Sequence, residues 1–106
     1  MVTLETASIK DWDSFHTEST KAFGFPAFYG RNLNAWIDCL TYLTEGDGMS
    51  CFTLGPAEVL SIVLADYERF AATQPAICRA LRESVAAVNQ RYVAAGDIAR
   101  LVLVPG

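Results

Sequence analysis

With 106 residues, 52% hydrophobic and 19% charged, the chain is long enough to bury one core without covalent staples and too apolar to stay disordered, so residues 1–106 are expected to form one domain. A formal net charge of −4 has the wrong sign for gripping phosphates, and direct binding of nucleic acid is not expected. Three cysteines, Cys39, Cys51 and Cys78, are odd in number and never spaced as C-x-x-C, which argues against a disulfide framework or a zinc site and for a reducing cytoplasm.

The opening MVTLETASIKDW meets polar and acidic residues at once, unlike a secretory leader, and no later run approaches the length of a membrane span. Residues 2 to 5 alternate apolar and polar, as a short strand does. A helix is expected from about Asp11, which can cap it, with Trp12, Phe15, His16, Ser19, Ala22 and Phe23 on one buried stripe and Gly24 at its stop. Pro26 holds its neighbours extended, and Gly30 lets the chain turn sharply before Asn32, a good N-cap.

From Asn32 to about Thr44, the residues Leu33, Trp36, Ile37, Leu40, Leu43 and Thr44 recur at helical spacing and define a buried side. At about 100° per residue, Asn34, Asp38, Thr41, Tyr42 and Glu45 fall on the other side, with Ile37 on the border. The polar connection TEGDGMSCFTLGP leads to EVLSIVLAD, which reads as a buried strand. Asp66 is placed to cap a short helix through about Thr73. Pro75 suits the first turn of a longer helix whose stripe is Ile77, Leu81, Val85, Val88 and Tyr92 and whose stop is Gly96. ARLVLV is a last apolar strand. Strands separated by helices predict an α/β fold, three short parallel strands joined by right-handed crossovers and packed with about four helices.

Charge is regional. No lysine or arginine lies between Arg31 and Arg69, where Asp38, Glu45, Asp47, Glu58, Asp66 and Glu68 all fall. The lone histidine, His16, lies on an apolar stripe and reads as a hydrogen-bonded core residue rather than a catalyst. No ligand spacing fits a metal and no glycine-rich loop follows a strand, so neither catalytic residues nor a cofactor are assigned. Asp38 has a plain reading, a solvated carboxylate on an exposed helix. Against it stand Tyr42, the absence of lysine and the aromatic entry loop, a set that fits a protein-binding patch. Phe23 and Phe25 read as core; Phe28 and Tyr29 fit core or surface equally.

The stretch FPAFYGRNLNAWIDCLT resembles the second-helix segment of the barstar family of ribonuclease inhibitors, where a proline, two aromatics, Gly, Asn, Leu and then Asp-Cys-Leu-Thr occur in the same order. The likeness is specific over residues 25–41 and extends to His16 and to Gly96-Asp97-Ile98 before the last strand. It implies the three-stranded parallel fold and an intracellular inhibitor, or immunity protein, that fills a basic active site with its second helix and the loop before it. Asp38 takes the place of the family's principal aspartate and Phe28 and Tyr29 those of its aromatic contacts. The partner-binding set that follows is Phe28, Tyr29, Gly30, Asn32, Asn34, Ile37, Asp38, Thr41 and Tyr42.

The departures are Asn34 for a second aspartate, Ile37 for a tryptophan, Arg31 for a glutamate, Phe28 for a tyrosine and, by count, Arg91 for another glutamate. They reduce charge complementarity, so barnase itself is expected to be inhibited weakly or not at all. A different basic bacterial ribonuclease or nuclease toxin is the expected partner of a monomeric inhibitor. A second reading keeps the fold and the surface but makes the chain a non-inhibitory interaction or regulatory module.

Overall fold

Three stretches of alternating burial make the sheet. In the computed structural model, which describes residues 1–46 and 49–106, strands β1 (Val2–Leu4), β2 (Leu60–Leu64) and β3 (Leu101–Pro105) run parallel in the order β1-β2-β3. Leu4 lies opposite Leu64, and Ile62 is flanked by Val2 and Leu103. Val2, Leu4, Leu60, Ile62, Leu64 and Leu101 are buried on the core side, whereas Thr3, Val102 and Val104 are exposed on the other. The run EVLSIVLAD is therefore a shorter strand than expected, and it is not buried throughout: Val59 is exposed and Ser61 and Val63 are half-buried, because the apolar core covers one face of the sheet.

Helix α1 (Trp12–Phe23) opens with a reciprocal cap, the Ser14 N–H donating to Asp11 Oδ1 at 2.8 Å and the Asp11 N–H to Ser14 Oγ at 3.0 Å. It stops at Gly24, whose φ of 66° lies in the left-handed region. A Cβ built there would also meet the Cys51 Cβ at 2.7 Å, so glycine is needed for space as well as for conformation. Phe15, His16, Ser19 and Phe23 are buried as expected, but Trp12 is 42% exposed. It stands at the first helical position, where the stripe has not yet reached the core.

Helix α2 (Leu33–Leu40) precedes β2. Helices α3 (Tyr67–Thr73) and α4 (Pro75–Ala94) fill the connection from β2 to β3. Asp66 precedes α3 as expected, but it is itself left-handed (φ 57°) and its side chain does not cap the helix. The α4 stripe is buried throughout, from Ile77 to Tyr92.

A residue passed over in the sequence joins the two strand entrances. Arg100, only 3% exposed, donates from Nη1 to the carbonyls of Gly55 and Glu58 at 2.8 Å each. Its Nη2 donates to Pro56 O at 3.0 Å and to the Asp97 carboxylate. Its own carbonyl accepts from Leu60 N–H at 2.7 Å. Asn89 completes the junction, its Oδ1 accepting the N–H groups of Arg100 and Leu101 and its Nδ2 donating to Leu101 O. Arg100→Met keeps the length and removes the donors, leaving the part-buried carbonyls of Gly55, Pro56 and Glu58 without them. It should lower the urea unfolding free energy by about 3 kcal/mol; an unchanged midpoint would show that water replaces the guanidinium.

Candidate functional site

The loop between α1 and α2 sorts its rings by depth. Phe25 stacks on Phe23 with centroids 5.5 Å apart, and Tyr29 leans on Phe25 at 4.6 Å. Tyr29 is only 8% exposed and its hydroxyl lies 2.6 Å from His16 Nδ1. Phe28, one residue earlier, is 75% exposed. Of the two rings the sequence left undecided, Tyr29 belongs to the core and Phe28 to the surface. Burial raises the Tyr29 phenol above its ordinary range. Burial, and after it the Arg31 guanidinium, lowers the His16 imidazole from its ordinary 6.5, with Asp13 opposing.

The sharp turn expected before Asn32 is completed by Arg31, the residue after Gly30. The left-handed residue is Arg31, at φ 53°, while Gly30 packs close to its neighbour: a Cβ there would meet Asn32 Nδ2 at 3.2 Å. A non-glycine residue keeps this conformation when its surroundings hold it. Here Arg31 Nη2 donates to Asp13 O and Asp13 Oδ1 at 2.8 Å each and to Thr17 Oγ1 at 2.9 Å. That clamp fastens the loop to α1 and turns the Arg31 charge away from α2.

Asn32 caps α2 as expected, its Oδ1 accepting from Ala35 N–H at 2.8 Å. Trp36 is fully buried, donates from Nε1 to Ser19 Oγ at 3.1 Å and meets Phe23 edge-on at 5.8 Å. The far end differs from the expectation of a helix to Thr44. α2 ends at Leu40, where the Tyr92 hydroxyl donates to Leu40 O at 2.8 Å and accepts from Leu43 N–H at 2.9 Å. Leu43 stays buried, but Thr44, expected on the buried stripe, is exposed because the helix has already stopped.

On the outer side Asn34 and Asp38 are exposed, Tyr42 is 39% exposed, and Ile37 and Thr41 are half-buried. Phe28, Tyr29, Gly30, Ala35 and Asp38 line a shallow depression of about 100 Å³. The structure thus brings Phe28, Asn34, Asp38, Thr41 and Tyr42 to the surface, while Tyr29, Gly30 and Asn32 shape the entry from within or beside it. The acidic segment is dispersed. Glu58 accepts from Gly55 N–H in the turn before β2, Asp66 and Glu68 stand at the start of α3, and Asp47 lies outside the described residues.

One cation enters the face from outside that segment. Arg91, on α4, donates from Nη1 to Asp38 Oδ1 at 2.6 Å, with Thr41 Oγ1 at 3.4 Å. The Asp38 side chain is 54% exposed and that of Arg91 47%, so the pair stabilises the fold by under about 1 kcal/mol. The face expected to carry no positive charge is half-neutralised. Helical spacing sets Arg91 beside Tyr92 but does not say which helix α4 will meet.

Residues 1–104 match the family model described as Barstar (barnase inhibitor). No curated protein matches the chain. Among the described residues, no helix is long and apolar enough to cross a membrane.

Two measurements check the way the site is held. Tyr92→Phe removes both hydrogen bonds at the end of α2 and should destabilise the chain by about 1–3 kcal/mol in urea titrations, with the largest gain in amide exchange at Thr41 to Leu43. For His16, both folded and unfolded chains are neutral well above pH 6.5. As pH falls through that value, the unfolded chain takes a proton that the folded chain refuses, and stability declines until the lower folded value is passed. Between about pH 7.5 and about pH 5 the urea midpoint should fall more steeply in the parent than in His16→Gln; parallel slopes would contradict the assigned shift.

Proposed function

The chain belongs to the barstar family, and from that premise we propose that it acts as an inhibitor, or immunity protein, of a basic bacterial ribonuclease or nuclease toxin, with α2 and the loop before it entering the enzyme's active site. The observation that carries this reading is the outward Phe28 and Asp38 on a segment fixed at the Arg31 clamp, at Trp36 and at Tyr92. Little ordering cost remains to be met on binding, so a small face can bind tightly.

In this reading Phe28 is the apolar anchor and Asp38 the anion offered to cations that otherwise hold RNA phosphates. Asn34, Thr41 and Tyr42 supply polar contacts, and Ile37 an apolar edge. Tyr29, Gly30 and Asn32 act through shape. No step of the reading uses a catalytic residue or a cofactor; the chain acts as a cytoplasmic monomer and one domain. His16 is committed to Tyr29 inside the core, which supports a non-enzymatic role.

The pair between Asp38 and Arg91 favours the second reading, an interaction module that binds a partner other than a nuclease, because it removes part of the charge that a cationic cleft would meet. Co-expression with basic ribonuclease toxins, scored by survival, separates the two. With the ribonuclease that is rescued, Asp38→Ala and Phe28→Ala should each weaken binding by about 2 kcal/mol or more, roughly thirtyfold, by inhibition titration. Undiminished inhibition by Asp38→Ala would remove the role given to it.

A further inference from the structure

The charged pair on α2 and α4 has unused capacity. Asp38 Oδ1 and Arg91 Nη1 are joined across 53 residues of chain, while Asp38 Oδ2 and Arg91 Nε and Nη2 make no hydrogen bond among the described residues. Both side chains are about half-exposed, so a protein landing on α2 covers the two together. The cation at the opposite, N-terminal end of the helix, Arg31, is held by Asp13 and Thr17. The face therefore offers a carboxylate and a guanidinium side by side, not a bare anion.

Such a face discriminates between clefts. A surface lined by cations alone gains from Asp38 and loses nearly as much from Arg91, and it must also displace or bury a pair already made. A surface that sets a carboxylate next to a cation meets both groups, its cation on Asp38 Oδ2 and its carboxylate on the planar fork of Arg91.

We propose that Arg91 is the specificity-determining residue of this face. It masks Asp38 from purely cationic clefts and admits an active site in which a carboxylate stands beside the phosphate-binding cations. The proposal rests on the reading of α2 as the inhibitory element and names the kind of enzyme that α2 fits.

The test uses the full chain, Arg91→Gln, and the double variant Asp38→Asn with Arg91→Gln, with two capped peptides as probes, Arg-Arg-Arg-Arg and Arg-Glu-Arg-Glu. Binding is followed through the amide shifts of residues 33–42, and unshifted core amides report an intact fold. Arg91→Gln should bind the all-arginine peptide about threefold more tightly than the parent and the mixed peptide about threefold more weakly, the scale of one exposed ion pair. The double variant should lose the gain. Affinities that stay unchanged in Arg91→Gln, or that move in the same direction for both peptides, overturn the proposal. The peptides report masking without any nuclease. Opposite shifts in a chain that protects against no ribonuclease would therefore refute the inhibitor reading alone.

Discussion

A single buried hydroxyl, that of Tyr92, donates to the Leu40 carbonyl and accepts from the Leu43 amide, and so decides where α2 stops and which helix lies against it. The last carbonyls of a helix need partners, and a side chain from another element is one way to supply them. Because the donor belongs to α4, ending α2 and docking the two helices are one event. Arg91 is carried to Asp38 by the same contact, so the electrostatics of the candidate face follow from a hydrogen bond inside the core.

The other end of the face is fixed by a division of labour among rings. Phe23, Phe25, Tyr29 and Trp36 make a packed aromatic wall under the loop, and His16 satisfies the one polar atom Tyr29 carries into it. Phe28 is left outside by the same turn that takes Tyr29 in, the Tyr29 N–H closing on Pro26 O at 2.9 Å. Arg31 then holds a backbone conformation that few side chains favour, through three hydrogen bonds to α1. A face built this way is ordered before any partner arrives.

What could be read from the sequence was what is local. The Asp11 and Asn32 caps, the stop at Gly24 and the α4 stripe follow from short spacings, and the parallel strands from the alternation of strands and helices. The separation of inner and outer sides of α2 was equally legible at Trp36 and Asp38. What failed depended on groups far along the chain. The length of α2 was overestimated because its terminating hydroxyl lies about fifty residues away, at Tyr92. Arg91 was placed only by the resemblance, in the stead of a glutamate, and Arg100 drew no reading, since acceptors of both come from other elements. The sharp turn expected at Gly30 was legible, but the left-handed Arg31 within it was not, because the clamp supplied by Asp13 and Thr17 has no local signature.

The free margin of the sheet shows a further result of the Asn89 junction. In β3 the groups of Arg100 and Gly106 are directed to the central strand, through Arg100 O to Leu60 N–H and Gly106 N–H to Leu64 O, so the odd-numbered residues face the other way. Leu101 gives its outward amide and carbonyl to Asn89, and Pro105 has no amide hydrogen to give. Leu103 is left as the one residue of this strand with an N–H for an incoming chain, too little for a ladder to grow on. The border is thus a poor template for edge-to-edge pairing between neighbouring copies.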